Sequence, residues 1–191
     1  IRLETVQALV EMLNRGVTPL VPEKGSLGAS GDLVPLAHMV LPLLGLGKAT
    51  YRGEVMSGAE AMRAAGISTL ELTQKEGLAL INGTQFMTAV GALTVYDALE
   101  LLKVADIAAA MSFEAQNGIV DALQARMHAI RPHKGQVDSA RIVSALLAGS
   151  KNVTRQGEVR VQDAYSLRCT PQVHGASKDA VNYVRQKVDI E

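Results

Sequence analysis

The feature that most restricts the fold is a long helical period between Gln85 and about Glu114. Asp97, Glu100, Lys103 and Asp106 recur at helical spacing and drift around roughly half the circumference. Ala98, Leu101, Leu102, Ala105, Ala108 and Ala109 take the other half. Small residues on that face let a second helix approach closely, as in a bundle. Composition agrees: two Phe, four Tyr and no Trp in 191 residues, with Ala, Leu, Val and Gly abundant. Such usage favours close-packed helices over a sheet sandwich. The expected fold class is mainly α, a bundle-type helical core with one minor β-hairpin. At 48% hydrophobic residues, the chain 1–191 is read as a single segment around one sizeable core.

The remaining elements follow from local signals. Arg2–Arg15 reads as an amphipathic helix with Leu3, Val6, Leu9, Val10 and Leu13 on one stripe and Gly16 as its stop. Pro19 and Pro22 mark an extended stretch. A helix from about Asp32 to Leu46 follows, with Pro35 tolerated in its first turn and Ser30 or Asp32 as N-cap. Gly53 turns a short hairpin over residues 49–56, and Ala59–Ala65 forms a short helix. Thr73 and Glu76 have capping-box spacing, and Asn82-Gly83-Thr84 breaks otherwise helical sequence. Further helices are expected at Ile119–Met127, at Gln136–Leu147 and after Pro171. Gly77–Tyr96 carries no formal charge over a membrane-spanning length. Its Asn82, Thr84, Gln85, Thr88 and Thr94 favour a buried pair of helices instead.

The chemistry begins at Lys24–Met39, KGSLGASGDLVPLAHM, where Gly25, Gly28 and Gly31 fall three residues apart before an apolar run. A phosphate-binding loop wants lysine and a hydroxyl residue after the last glycine, whereas Asp32 stands there and would repel phosphate. A serine-hydrolase elbow needs G-x-S-x-G after a strand; Gly28-Ala29-Ser30-Gly31 has neither the spacing nor the strand. A tight turn capping a helix remains open. So does cyclisation, since unhindered Gly31 could attack the Ala29 carbonyl and dehydration at Ser30 would leave a conjugated methylidene.

GSLGASGDLVPLAHM, KEGLALINGTQ (75–85) and VQDAYSLRCTPQVHGAS (161–177) resemble, in order, the signatures of the histidine and aromatic amino acid ammonia-lyases. The resemblance spans essentially the whole chain and implies a central portion of a larger all-α subunit, with flanks on both sides. It implies that Ala29, Ser30 and Gly31 become the 4-methylideneimidazole-5-one (MIO) electrophile, with no external cofactor. It also implies that Asn82, Gln162 and Arg168 bind substrate, Arg168 taking the carboxylate, a task suited to a planar bidentate donor. Tyr165 is placed at the reacting centre and Asp32 supports cyclisation or caps the helix. The implied reaction is L-histidine to trans-urocanate and ammonia, in a homotetramer whose active sites combine residues of several subunits. Tyrosine or phenylalanine ammonia-lyase, an MIO aminomutase, and a helical assembly segment inactive alone are the alternatives.

Charge adds exclusions. Nineteen basic residues balance nineteen acidic ones, so neither nucleic acid nor an acidic membrane is an expected partner. The histidines at 38, 128, 133 and 174 lack metal-site spacing, so no metal is expected. A lone Cys169 with no identified base reads as a packed thiol in a reducing, cytoplasmic setting.

Overall fold

A computed structural model describes every residue, Ile1–Glu191. The chain divides into two compact units, residues 1–90 and 91–191. It is mainly helical with one small sheet, as its sequence implies.

The first unit opens with α1 (Leu3–Asn14). Its buried side is Thr5, Ala8 and Met12, not the predicted stripe, since Leu3, Val10 and Leu13 are exposed. β1 (Thr18–Pro19) adds an unforeseen edge to the hairpin of β2 (Lys48–Tyr51) and β3 (Glu54–Ser57), giving an antiparallel sheet in the order β1-β2-β3. Pro19 suits that place because an edge strand can spare an amide donor. The hairpin turns at Arg52 (φ 51°) and Gly53 (φ 87°). Positive φ at both central residues matches the strand twist of a two-residue turn.

α2 (Leu33–Val40) holds Pro35 in its first turn, and a 3-10 turn at Leu41–Leu44 completes the expected helix. α3 (Gly58–Ala64) starts at a capping box that the sequence reading passed over: Glu60 N–H donates to Ser57 Oγ, and Ser57 N–H donates to Glu60. Met12, Val17, Val40, Leu43, Ala49, Ala61, Met62 and Leu80 form the core of this unit. Leu80 belongs to α4 (Glu76–Ile81), and α5 (Gln85–Ala115) begins past Asn82-Gly83-Thr84. The break therefore lies where it was predicted.

The second unit is organised on the body of α5 with α6 (Ala125–Ala129), α7 (Lys134–Leu146), α8 (Tyr165–Arg168) and α9 (Thr170–Val188). Ala110, Phe113, Leu123, Val143, Leu147 and Leu167 make its core. α7 and α9 lie backbone to backbone: a Cβ on Gly175 would stand 2.3 Å from Gln136 N. Gly135 meets Gly175 from the other side and donates its N–H to Asp179 Oδ1 at 2.8 Å.

Two expectations for α5 need correction. Asp106, placed on the charged half of the helix and not on its packing face, is 1% exposed and pairs with His174 Nδ1 (2.9 Å) and with Lys178. Leu101 and Ala108, grouped with the packing face, are exposed. The stretch Glu76–Ala115 is long and apolar enough to cross a membrane, and only 11% of its most apolar window is buried. The expected burial of this segment is therefore not met within the chain.

Candidate active site

In the first unit the glycine loop and the helix break meet. Residues 22–30 are all exposed, so side-chain packing does not hold this loop. The triplet folds back on itself: Ala29 N–H donates to Gly31 O at 2.8 Å, with Ser30 at φ 55° and Gly31 at φ 89°. Only glycine adopts the latter without strain. Gly31 also leaves no room for a side chain, since a Cβ there would lie 1.7 Å from Gly83 O and 2.4 Å from Gly83 C. Asn82, an exposed residue at the C-terminal end of α4, precedes that contact directly. Thus the first two matched motifs touch through their backbones.

Asp32 occupies the N-cap position of α2 without making a cap bond; its carboxylate accepts from Ser26 Oγ. Behind the break, Glu76 is 2% exposed. It accepts from Arg2 N (2.9 Å), Arg2 Nη2 (2.8 Å), Thr5 Oγ1 (2.9 Å) and Thr73 N (2.8 Å). Hydrogen bonds from the Arg2 side chain, then from its backbone amide, hold the Glu76 carboxyl well below the usual carboxylate range. The predicted capping-box spacing thus marks a buried anchor, with Glu76 reaching back to Thr73 N–H.

In the second unit, Gln162 and Arg168 line one cavity of about 350 Å³, together with Arg126, Cys169 and Gln172. Tyr165 is not part of its lining; it is 71% exposed and sets its ring 4.1 Å from the Arg168 guanidinium carbon. Such stacking fixes the guanidinium plane. Arg168 Nε is buried without a hydrogen-bond partner, an orphaned donor of the kind that a bound acceptor satisfies.

Several residues absent from the sequence-based list build this wall. Asp163 is buried between Gln162 and α8 and accepts from Ile119 N at 2.6 Å and Arg160 Nε at 2.5 Å. Arg160 Nη2 also donates to Gln116 O at 2.7 Å, tying the segment to the end of α5. Asp121, on the cavity wall, accepts from Gln156 N at 2.7 Å, the main cause of its lowered carboxyl pKa. His128 is buried: Gln136 Nε2 donates to its Nδ1 (2.9 Å), leaving Nε2–H for Ala122 O (3.0 Å). Asp163 lies inside the 161–177 motif, so its signal is present in the sequence; Arg126 and His128 have none.

The first unit thus carries a backbone-built bend at Ala29-Ser30-Gly31, and the second an orphaned arginine donor beside a polar cavity. Residues 1–191 match the family model described as aromatic amino acid lyase, and the chain belongs to that family. It is 66% identical over 191 residues to histidine ammonia-lyase of Clostridium tetani, covering 100% of this chain and 37% of that protein. Among solved structures, Pantoea agglomerans phenylalanine aminomutase superposes with a TM-score of 0.90 at 37% identity, covering 96% of this chain and 39% of the other. Histidine ammonia-lyase from Trypanosoma cruzi gives 0.82 at 42% identity, over 96% and 33%. The chain thus spans under two fifths of the length of these relatives.

The loop suits the MIO group. The group requires a residue without Cβ after the serine, in a bend that brings that residue's nitrogen back toward the alanine carbonyl. Gly31, pressed on Gly83, meets the first demand, and the Ala29 N–H bond to Gly31 O shows that the triplet is bent back on itself.

Proposed function

We propose that the full-length protein is a histidine ammonia-lyase that converts L-histidine to trans-urocanate and ammonia. The observation that carries this reading is the 66% identity to a histidine ammonia-lyase along all 191 residues. The MIO group, formed from Ala29, Ser30 and Gly31, would supply the electrophile that ordinary side chains lack. Arg168 holds the substrate α-carboxylate, an acceptor that satisfies its orphaned Nε–H and fits the guanidinium fork. The Tyr165 ring orients that fork, and its hydroxyl holds or moves a proton at the reacting centre. Gln162 and Asn82 supply amide hydrogen bonds to the bound amino acid, and Asp32 supports ring formation. The protein works in the cytoplasm as a homotetramer whose active sites draw on several subunits.

Incubating full-length protein with L-histidine and following urocanate absorbance tests this reading. Urocanate formation is the expected result. Accumulation of a β-amino acid instead would assign an aminomutase, and deamination of tyrosine or phenylalanine alone would assign a different lyase.

A further inference from the structure

We propose that the helix break Asn82-Gly83-Thr84 is the template on which the Ala29-Ser30-Gly31 triplet closes, with the Gly83 carbonyl as its working surface. This rests on reading the triplet as an MIO precursor. Because residues 22–30 are exposed, the first packed point after them is Gly31 itself. Three backbone atoms crowd the place where its side chain would be: Gly83 O (1.7 Å from an ideal Cβ), Gly83 C (2.4 Å) and Thr84 N (3.2 Å). Backbone cannot swing aside as a side chain can, so these atoms fix Gly31 from one direction. From the other, the 2.8 Å bond between Ala29 N–H and Gly31 O closes the bend. Ser30 at φ 55° is held between them.

The template is itself anchored. It follows α4, which starts at buried Glu76 with its bonds to Arg2, Thr5 and Thr73 and contributes Leu80 to the core. Asp32, next to the triplet, keeps its carboxylate on Ser26 instead of capping α2. Closure forms a bond from Gly31 N to the Ala29 carbonyl carbon. The Ala29 oxygen leaves as water with the Gly31 and Ser30 amide protons. The Ser30 hydroxyl leaves as a second water with the Ser30 Cα proton. No oxidant is needed. Gly83 and Thr84 are positioning residues here: they touch the triplet, and their work ends before substrate arrives.

Time-resolved peptide mass spectrometry of the full-length protein tests the template, because the reading is loss of two waters and not turnover. Thr84→Pro drives residue 83 toward extended backbone and so moves its carbonyl. Thr84→Gly frees the same joint, and because Thr84 is exposed it removes no packed side chain. Met87→Ala, an exposed side chain beyond the break, serves as control. Misplacement on this scale slows an intramolecular closure by roughly 100-fold. The expected order of maturation rates is therefore Met87→Ala equal to wild type, then Thr84→Gly, then Thr84→Pro. Circular dichroism checks the fold; if Thr84→Pro does not fold, Thr84→Gly decides alone. Folded Thr84 variants that lose both waters at the wild-type rate overturn the template. Wild-type protein that keeps both waters overturns the reading of the triplet itself, a different and separable failure.

Discussion

The glycine loop of the first unit and the Arg168 cavity of the second are built by opposite means. Around Ala29-Ser30-Gly31 the geometry is made by backbone: two positive φ values, one main-chain hydrogen bond and a glycine pressed on a carbonyl. Around Arg168 it is made by side chains: buried Asp163 clamped by Ile119 N–H and Arg160, the His128–Gln136 pair, and Tyr165 stacked on the guanidinium. A region made of backbone is sensitive to the size and freedom of individual residues. A region made of side chains is sensitive to charge and hydrogen-bonding capacity. Under the proposed function the difference suits the tasks, since one part would bend its own chain into a ring and the other would hold a carboxylate.

Gly31→Ala attacks the backbone region most directly and carries the largest expected effect. Its methyl group meets Gly83 O at 1.7 Å and its φ of 89° strains any L-residue. Loss of the two waters should cease in full-length protein, and urocanate production with it; a matured, active variant would separate the loop from the chemistry. Next comes Arg168→Lys, which keeps the charge and removes the fork. A fall of roughly 100-fold in kcat/KM, carried mainly by KM and with normal maturation, is expected. Equal falls with impaired maturation would merge the two regions that the comparison separates.

Asp163→Asn is a smaller break on the arginine side. It strips a 1%-exposed carboxylate from a guanidinium that is partly open to solvent. A loss of about 2–3 kcal/mol is expected, discounted for that solvent exposure. Denaturant unfolding reads it; unchanged stability would mean that the clamp does not support the wall.

The smallest expected effect is pH-dependent and lies behind the loop. The Glu76 carboxyl is depressed when folded, so the unfolded chain binds its proton at higher pH than the native one. Its stabilisation is therefore complete above the ordinary carboxylate value of 4.5 and declines as pH falls toward the depressed native value. Thermal unfolding from neutral to acidic pH should show a shallower acid decline for Glu76→Gln than for wild type. Identical slopes would remove Glu76 from the anchor of the break.

How far the sequence could be read follows the same division. Backbone signals are local, so the glycine loop, the Asn-Gly break, the Gly53 hairpin and most helices were legible. Side-chain burial depends on partners distant in sequence. Asp106 kept helical register with Asp97 and Glu100, and only His174 and Lys178, 68 and 72 residues on, draw it inside. Glu76 had the spacing of a surface cap, yet Arg2 lies 74 residues away. The apolar stripe of α1 pointed to a buried face, but the tight approach to Glu76 and the core needs the smaller Thr5 and Ala8. For the site, the motifs named Asn82, Gln162, Tyr165 and Arg168. The carbonyl of Gly83 and the clamp on Asp163 are contacts, and no residue type announces a contact.

The most direct measurement is the mass of the peptide containing Ala29-Ser30-Gly31 from purified full-length protein. A backbone bend that exists to close a ring predicts a peptide two waters lighter than its sequence, with the deficit confined to those three residues. A peptide at its unmodified mass, Ser30 hydroxyl intact in a folded and assembled protein, would contradict it.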